Sequence, residues 1–138
     1  MAKTCKQILL AALLLGMPAA NASNDVVVIS HPSVVKLDAA TLQKVYTGKV
    51  MEVDGVAVTA VNAKQGSVVR TRFLRDFLNQ DEDKYTGYWT VRRYIGKGAP
   101  PRELPSSTDV IDFVKSTPGA IGYIDEADLK PGINVLLK

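Results

Sequence analysis

The stretch that most constrains the fold is Asp25-Val26-Val27-Val28-Ile29-Ser30, a continuous β-branched run of strand length closed by His31-Pro32. β-branched side chains favour extended backbone, and a run without alternation has no face to give to water. It predicts a strand buried on both faces, which is the habit of parallel sheets covered by helices.

The covering helices are legible downstream. Leu37 to Gly48 predicts a short helix, with Asp38 as N-cap, Leu42, Val45 and Tyr46 on one face and Gly48 as the left-handed stop. Asp54-Gly55 makes a turn, and Val56 to Val61 reads as a second strand. From Ser67 the apolar positions Val69, Phe73, Leu74, Phe77 and Leu78 recur at helical spacing, with a four-residue Arg72–Asp76 pair, and Asn79 ends the run. Glu82 to Tyr94 predicts a third helix anchored by Tyr85, Trp89 and Tyr94, and Gly96 to Pro101 breaks it. Ser106 to Asp109 holds N-cap chemistry for a fourth helix, stopped at Thr117-Pro118-Gly119. Ala120 to Ile124 and Ile133 to Leu137 close the chain as strands, with Gly122 allowing close packing against a strand. Strands alternating with helices imply an α/β sheet sandwich.

The amino terminus reads as an address. Lys3 and Lys6 precede an apolar run, Ile8 to Leu15, and Ala20-x-Ala22 ends it with small residues, the pattern of a secretory signal peptide over residues 1–22. The run is short of the about 20 apolar residues that span a bilayer, so an uncleaved anchor is the weaker reading and no span is expected after cleavage. The mature chain, residues 23–138, then has the size of one domain. Its only cysteine, Cys5, leaves with the signal, so disulfide, thiol and cysteine–metal chemistry leave too. Without Lys3 and Lys6 the 17 basic residues become 15 against 14 acidic ones, a net charge of +1, and the pI of about 9.0 overstates the mature charge. No basic stripe remains to support nucleic acid as a partner.

Among candidate sites, Asn62 to Phe73, "NAKQGSVVRTRF", is the most informative, because it runs from a strand through a loop into a helix. A helix starting there offers unpaired N–H groups and the positive end of its dipole. Gly66 lets a ligand approach the backbone, Ser67 offers a hydroxyl, the N–H groups of Val68 and Val69 point outward, Lys64 or Arg70 adds charge and Asn62 an amide. The plainer reading is that Ser67 only caps its helix while Arg70 and Arg72 are solvated. His31 has no partner cysteine or carboxylate pair, and Asp81-Glu82-Asp83 lacks the remainder of a calcium loop. Tyr85, Tyr88 and Trp89 at helical spacing read as core. No glycine-flanked serine elbow, cysteine or histidine–carboxylate set supports an enzyme, and nothing implies a cofactor or a metal.

Four segments taken together resemble the periplasmic phosphate-binding proteins of ABC transporters, in their short versions: "LDAATLQKVYTGKV", "VNAKQGSVVRTRF", "YTGYWTVRRYIGKGAPPRELPSS" and "VIDFVKSTPGAIGYID", which cover most of residues 25–125. The resemblance implies a single periplasmic-binding-protein-like lobe, α/β with a mixed, mostly parallel sheet flanked by helices. It also implies phosphate or a related small anion held by helix N-termini and hydroxyls, and an ABC permease or other envelope protein as partner. Gly66 and Ser67 keep their places in the family's phosphate loop, and Arg70 and Phe73 match the helix start. Val68 and Val69 stand where glycine and threonine are expected, and Ala63 where the gripping arginine belongs. That removes one bidentate clamp and one hydroxyl, the latter worth about 1 kcal/mol. A chain of one lobe lacks half of the usual cage, so a closed site needs a partner or a homodimer. The rival expectation is an envelope interaction module that keeps the fold and not the ligand.

Overall fold

The computed structural model describes residues 25–138. The expected signal segment, residues 1–22, lies outside the described residues.

The β-branched run forms strand β1, Val26–Ser30, and every residue of it is buried. Val26 and Val28 pack into one hydrophobic cluster, Val27 and Ile29 into another, so the lack of alternation reflects a layer of helix on each face. The other elements are helix α1, Ala39–Tyr46; strands β2, Glu52–Val53, β3, Val56–Ala57, and β4, Thr59–Ala63; helices α2, Val68–Leu78, and α3, Glu82–Tyr94; strand β5, Arg102–Leu104; helix α4, Ser107–Ser116; and strands β6, Ala120–Asp125, and β7, Asn134–Leu137. Five strands form one sheet in the order β5-β4-β6-β1-β7. β4 pairs parallel with β5 and β6, while β1 pairs antiparallel with β6 and β7, so four strands share a direction and β1 alone opposes them. The sheet is the expected mixed, mostly parallel one. Burial on both faces identified β1 as central, but burial does not set direction, and β1 makes no parallel pair.

Helices α1, α2 and α3 cover one face around Tyr46, Phe73, Leu74, Tyr85, Trp89 and Tyr123, and α4 covers the other through Val110, Ile111 and Val114. The caps anticipated from sequence are in place: Asp38 accepts from the N–H of Thr41 at 2.7 Å, and Asn79 closes α2 in the left-handed conformation, φ 52°. Gly122 leaves room on both sides, since an added Cβ would stand 2.7 Å from Val110 of α4 and 3.2 Å from Val61 of the neighbouring strand β4, so the close approach is to a helix as well as to a strand. Gly119 has φ 79°, and a Cβ there would collide with the carbonyl of Ala57.

Four local expectations are corrected. The run Val56 to Val61 is two strands, because Val58 breaks it: β3 pairs with β2 across the Asp54-Gly55 turn, and the sheet strand begins where Thr59 donates to the Gly119 carbonyl at 2.9 Å. β5 lies in a segment that carries no strand signal and is three residues long, held by its parallel partner β4. Asp76 is taken by its neighbour Arg75 at 2.7 Å, with Arg72 adding only a coulombic pull. Tyr94 is 91% exposed instead of anchoring α3.

Under α1–α3 a relay of polar groups crosses the apolar cluster. Tyr123 donates to the side-chain carbonyl of Asn62 at 3.1 Å and accepts from the N–H of Ala63 at 3.0 Å. The Asn62 amide donates to the Tyr85 hydroxyl at 3.0 Å, Tyr85 to the Tyr46 carbonyl at 3.1 Å, and Tyr46 to the Val61 carbonyl at 2.8 Å. Buried polar groups are tolerable when each finds a partner, and here the partners tie α1, α3 and β6 to β4. Burial pushes the phenols of Tyr46, Tyr85 and Tyr123 upward. A phenol with a raised folded value stabilises the fold fully below the unfolded tyrosine value of about 10 and loses that contribution as pH rises through the folded value. Thermal midpoints should therefore fall progressively above about pH 10, with the phenolate absorbance of these three tyrosines appearing together with unfolding; early titration of all three in the folded protein would contradict the relay.

Candidate anion site

β4, β5 and β6 point the same way, so the helices that follow β4 and β5 start at one edge of the sheet. At the end of β4 the chain turns over Lys64 to Gly66, with the Ser67 N–H donating to the Lys64 carbonyl at 3.0 Å, and Gly66 has φ 86° with open space where a Cβ would stand. Ser67 is the N-cap of α2, its hydroxyl oxygen accepting from the N–H of Arg70 at 3.3 Å. An oxygen that accepts in this way still has its own proton to donate. The N–H groups of Val68 and Val69, in the first turn, have no acceptor within the helix.

Opposite stands the start of α4. Ser106 caps it, accepting from the N–H of Asp109 at 3.2 Å, but its hydroxyl donates to the Asp109 carboxylate at 3.0 Å and is thereby spent. Between the two starts lies a cleft of about 220 Å³, lined by Lys64, Ser67, Val68 and Val69 on one side, Ser106 and Ser107 on the other, and Tyr123, Asp125 and Asp128 from the end of β6 and beyond. Two positive helix ends and one lysine thus face two carboxylates.

Of the residues singled out from sequence, Lys64, Ser67, Val68 and Val69 are brought together at this cleft, with Gly66 in the loop beside them. Asn62 and Arg70 are not, and both expectations are corrected. Asn62 is 1% exposed, and the relay takes its carbonyl and one amide hydrogen. Arg70 is 5% exposed, is not solvated and does not line this cleft. Its Nε and Nη2 donate to the two carboxylate oxygens of Glu82 at 3.0 and 2.7 Å, and its Nη1 donates to Glu103 at 2.7 Å and to the Ala63 carbonyl at 3.2 Å. A buried guanidinium needs such partners, and the fork geometry accounts for arginine here. The start of α4 and the two aspartates escaped the sequence reading. "PSSTD" signals a helix start, but nothing local says that it faces Ser67.

His31 is a turn residue whose Nδ1 lies 2.8 Å from the Ser33 hydroxyl, and that oxygen accepts from the N–H of Gly119 at 2.9 Å. Among the described residues no group of three or more histidine, cysteine, aspartate or glutamate side chains gathers to hold a metal, and no helix is long and apolar enough to cross a membrane.

No protein-family model matches the chain, and no curated protein matches it. Solved structures do. The fold is that of part of a phosphate ABC transporter substrate-binding protein. A putative one with bound phosphate from Clostridium perfringens superposes with a TM-score of 0.62 and 17% identity, over 80% of this chain and 43% of that one. PstS from Borrelia burgdorferi gives 0.58 and 17% over 81% and 46%, and an ABC-type phosphate transport receptor from Vibrio cholerae gives 0.55 and 13% over 80% and 44%. The chain spans less than half the length of each, and at such identity the likeness is one of fold.

Replacing Arg70 by Met leaves Glu82 and Glu103 without their cation. Denaturant unfolding should show a loss at the low end of the about 3–5 kcal/mol typical of breaking a buried pair, since both carboxylates reach solvent. Arg70→Lys should recover only part of it, because an ammonium cannot match the fork; full recovery would mean that charge alone suffices.

Proposed function

We propose that the mature chain, residues 23–138 behind a cleaved signal at 1–22, is a periplasmic, non-enzymatic domain that binds phosphate or a related small oxyanion between the starts of α2 and α4. The observation that carries this reading is the cleft itself, where two capped helix ends converge and the Ser67 hydroxyl keeps a proton to donate. The fold supports it, since similar structures are named for phosphate transport. Ser67 donates its hydroxyl, the N–H groups of Val68 and Val69 point at the anion, Gly66 leaves room for it and Lys64 adds attraction. Arg70 and Asn62 hold the walls instead of the ligand. An ABC permease is the partner that such a role implies.

A second reading keeps the fold and gives up the ligand: a module that docks on another envelope protein or on a second copy of the chain. Asp125 and Asp128 favour it, because carboxylates in the cleft oppose an anion. The same carboxylates make the first reading one of weak capture.

Calorimetric titration of phosphate should give saturable heat with Kd near millimolar, about −4 kcal/mol. Ser67→Asp separates binding from folding. Aspartate caps a helix about as well as serine, so stability should hold while the added charge abolishes the heat. Asp128→Asn, at an exposed position, should tighten binding a few-fold, about 0.2–1 kcal/mol as for other surface charges. No heat from the wild type at millimolar phosphate eliminates the first reading and leaves the second.

A further inference from the structure

The loop that leads to Ser67 separates two clefts. Lys64 lines the one just described, and Gln65 lines another, larger one of about 510 Å³. That volume falls within the about 300–1,000 Å³ of small-molecule sites, and the proposed oxyanion function makes no use of it. One wall is a face of α3: Thr86, Trp89, Thr90 and Arg93, at positions i, i+3, i+4 and i+7. The other is Ala99-Pro100-Pro101 with Arg102 and Glu103, and the floor is Asn62, Arg70 and Tyr85.

Three properties converge on one class of ligand. The first is spare donors at depth. Of the five N–H bonds of a guanidinium, four in Arg70 are matched by Glu82, Glu103 and the Ala63 carbonyl, and of the two amide hydrogens of Asn62 one is matched by Tyr85. Both side chains are more than nine-tenths buried and line the cleft, and beyond the Tyr85 ring, 5.5 Å from the Arg70 guanidinium carbon, neither has a further hydrogen-bond acceptor among the described residues. A buried donor without an acceptor carries a cost that a ligand oxygen relieves. The second is charge. Arg70, Arg93 and Arg102 line the cleft against Glu103, and with Glu82 counted behind Arg70 the site still has one positive charge in excess. Residues 84–102 contain Lys84, Arg92, Arg93, Lys97 and Arg102 and no acid. The third is shape, since half-buried Pro100 and Pro101, with the edge of the buried Trp89 beside them, offer apolar surface that a bare oxyanion has no means to use. Pairing with glutamates explains why Arg70 is tolerated inside the protein. It does not explain unmatched donors beneath an arginine-lined, proline-walled opening.

We propose that this second cleft binds a small organic carboxylate with a flat apolar body. The carboxylate oxygens accept from Arg70 and Asn62 at the floor, Arg93 completes the charge at the mouth, and the body lies against the two prolines beside the edge of Trp89.

Trp89 is the only tryptophan and lines this cleft, so its indole N–H resonance is a single local probe; because Trp89 also borders the neighbouring cavity beside Gly48, the Arg93→Gln variant assigns the shift to this cleft. Titrating the mature protein with benzoate should shift that resonance saturably, with half-saturation at about 1 mM or below. The uncharged isostere benzamide should bind at least about tenfold more weakly, as expected when a charge-assisted bond is lost. Arg93 is exposed, so Arg93→Gln leaves the fold alone and should weaken benzoate about tenfold. Ser67→Asp should leave the benzoate response unchanged, which keeps this result independent of the phosphate titration. No saturable shift up to about 10 mM overturns the proposal. So does equal binding of benzamide, or a benzoate affinity that Arg93→Gln does not alter.

Discussion

A guanidinium inside a protein has to be answered by acceptors, and around Arg70 that requirement organises the half of the molecule that carries both clefts. The side chain leaves the first turn of α2 and finds Glu82 in the first turn of α3, Glu103 on β5 and the carbonyl of Ala63 at the end of β4. Four elements distant in sequence are thereby held around one charge. Arg70 is also a partition: the α2 start just before it opens on one cleft, and the guanidinium itself floors the other. Pairing of this kind adds little net stability over a well-packed apolar core, but losing one partner is costly, which makes the arrangement a strict constraint on position.

The sheet supplies the rest of the positioning. Because β4, β5 and β6 run together, the starts of α2 and α4 meet at one edge, and the end of β6 brings Asp125 beside them. The hydroxyl relay from Tyr123 through Asn62 and Tyr85 to Tyr46 anchors the end of β4 from below. Phe73 stacks on Tyr123 with ring centroids 3.8 Å apart, so α2 is seated on β6 by its aromatic face. The cleft mouth is therefore built on stiff elements, although its chemistry is mixed: amide dipoles and a lysine attract an anion while two carboxylates oppose it. The similar phosphate-transport structures have more than half of their length beyond the part that this chain matches.

Much of this was legible one element at a time. Asp38, Ser67 and Ser106 all cap the helices that follow them, because capping is chemistry between residues three apart. Clustering of Lys64, Ser67, Val68 and Val69 at a cleft edge was legible for the same reason, a strand running into a loop and a helix. Arg70 was not. On a helical wheel it reads as a solvated cation, and its carboxylate partners lie 12 and 33 residues away. Asn62 was misread in the same way, because a polar residue at a strand end carries no mark of whether water or two tyrosines will meet it.

What the amino-acid order determined by itself is the set of elements and their apolar faces, including a first strand with no face for water, since periodicity and capping act over a turn or two of chain. Tertiary structure alone decided that β1 runs against its neighbours, that β5 exists at all, that α4 faces α2 and that Arg70 serves the scaffold. Each of these depends on contacts between segments tens of residues apart, where the free energy of burying and pairing groups overrides anything that a local pattern can express.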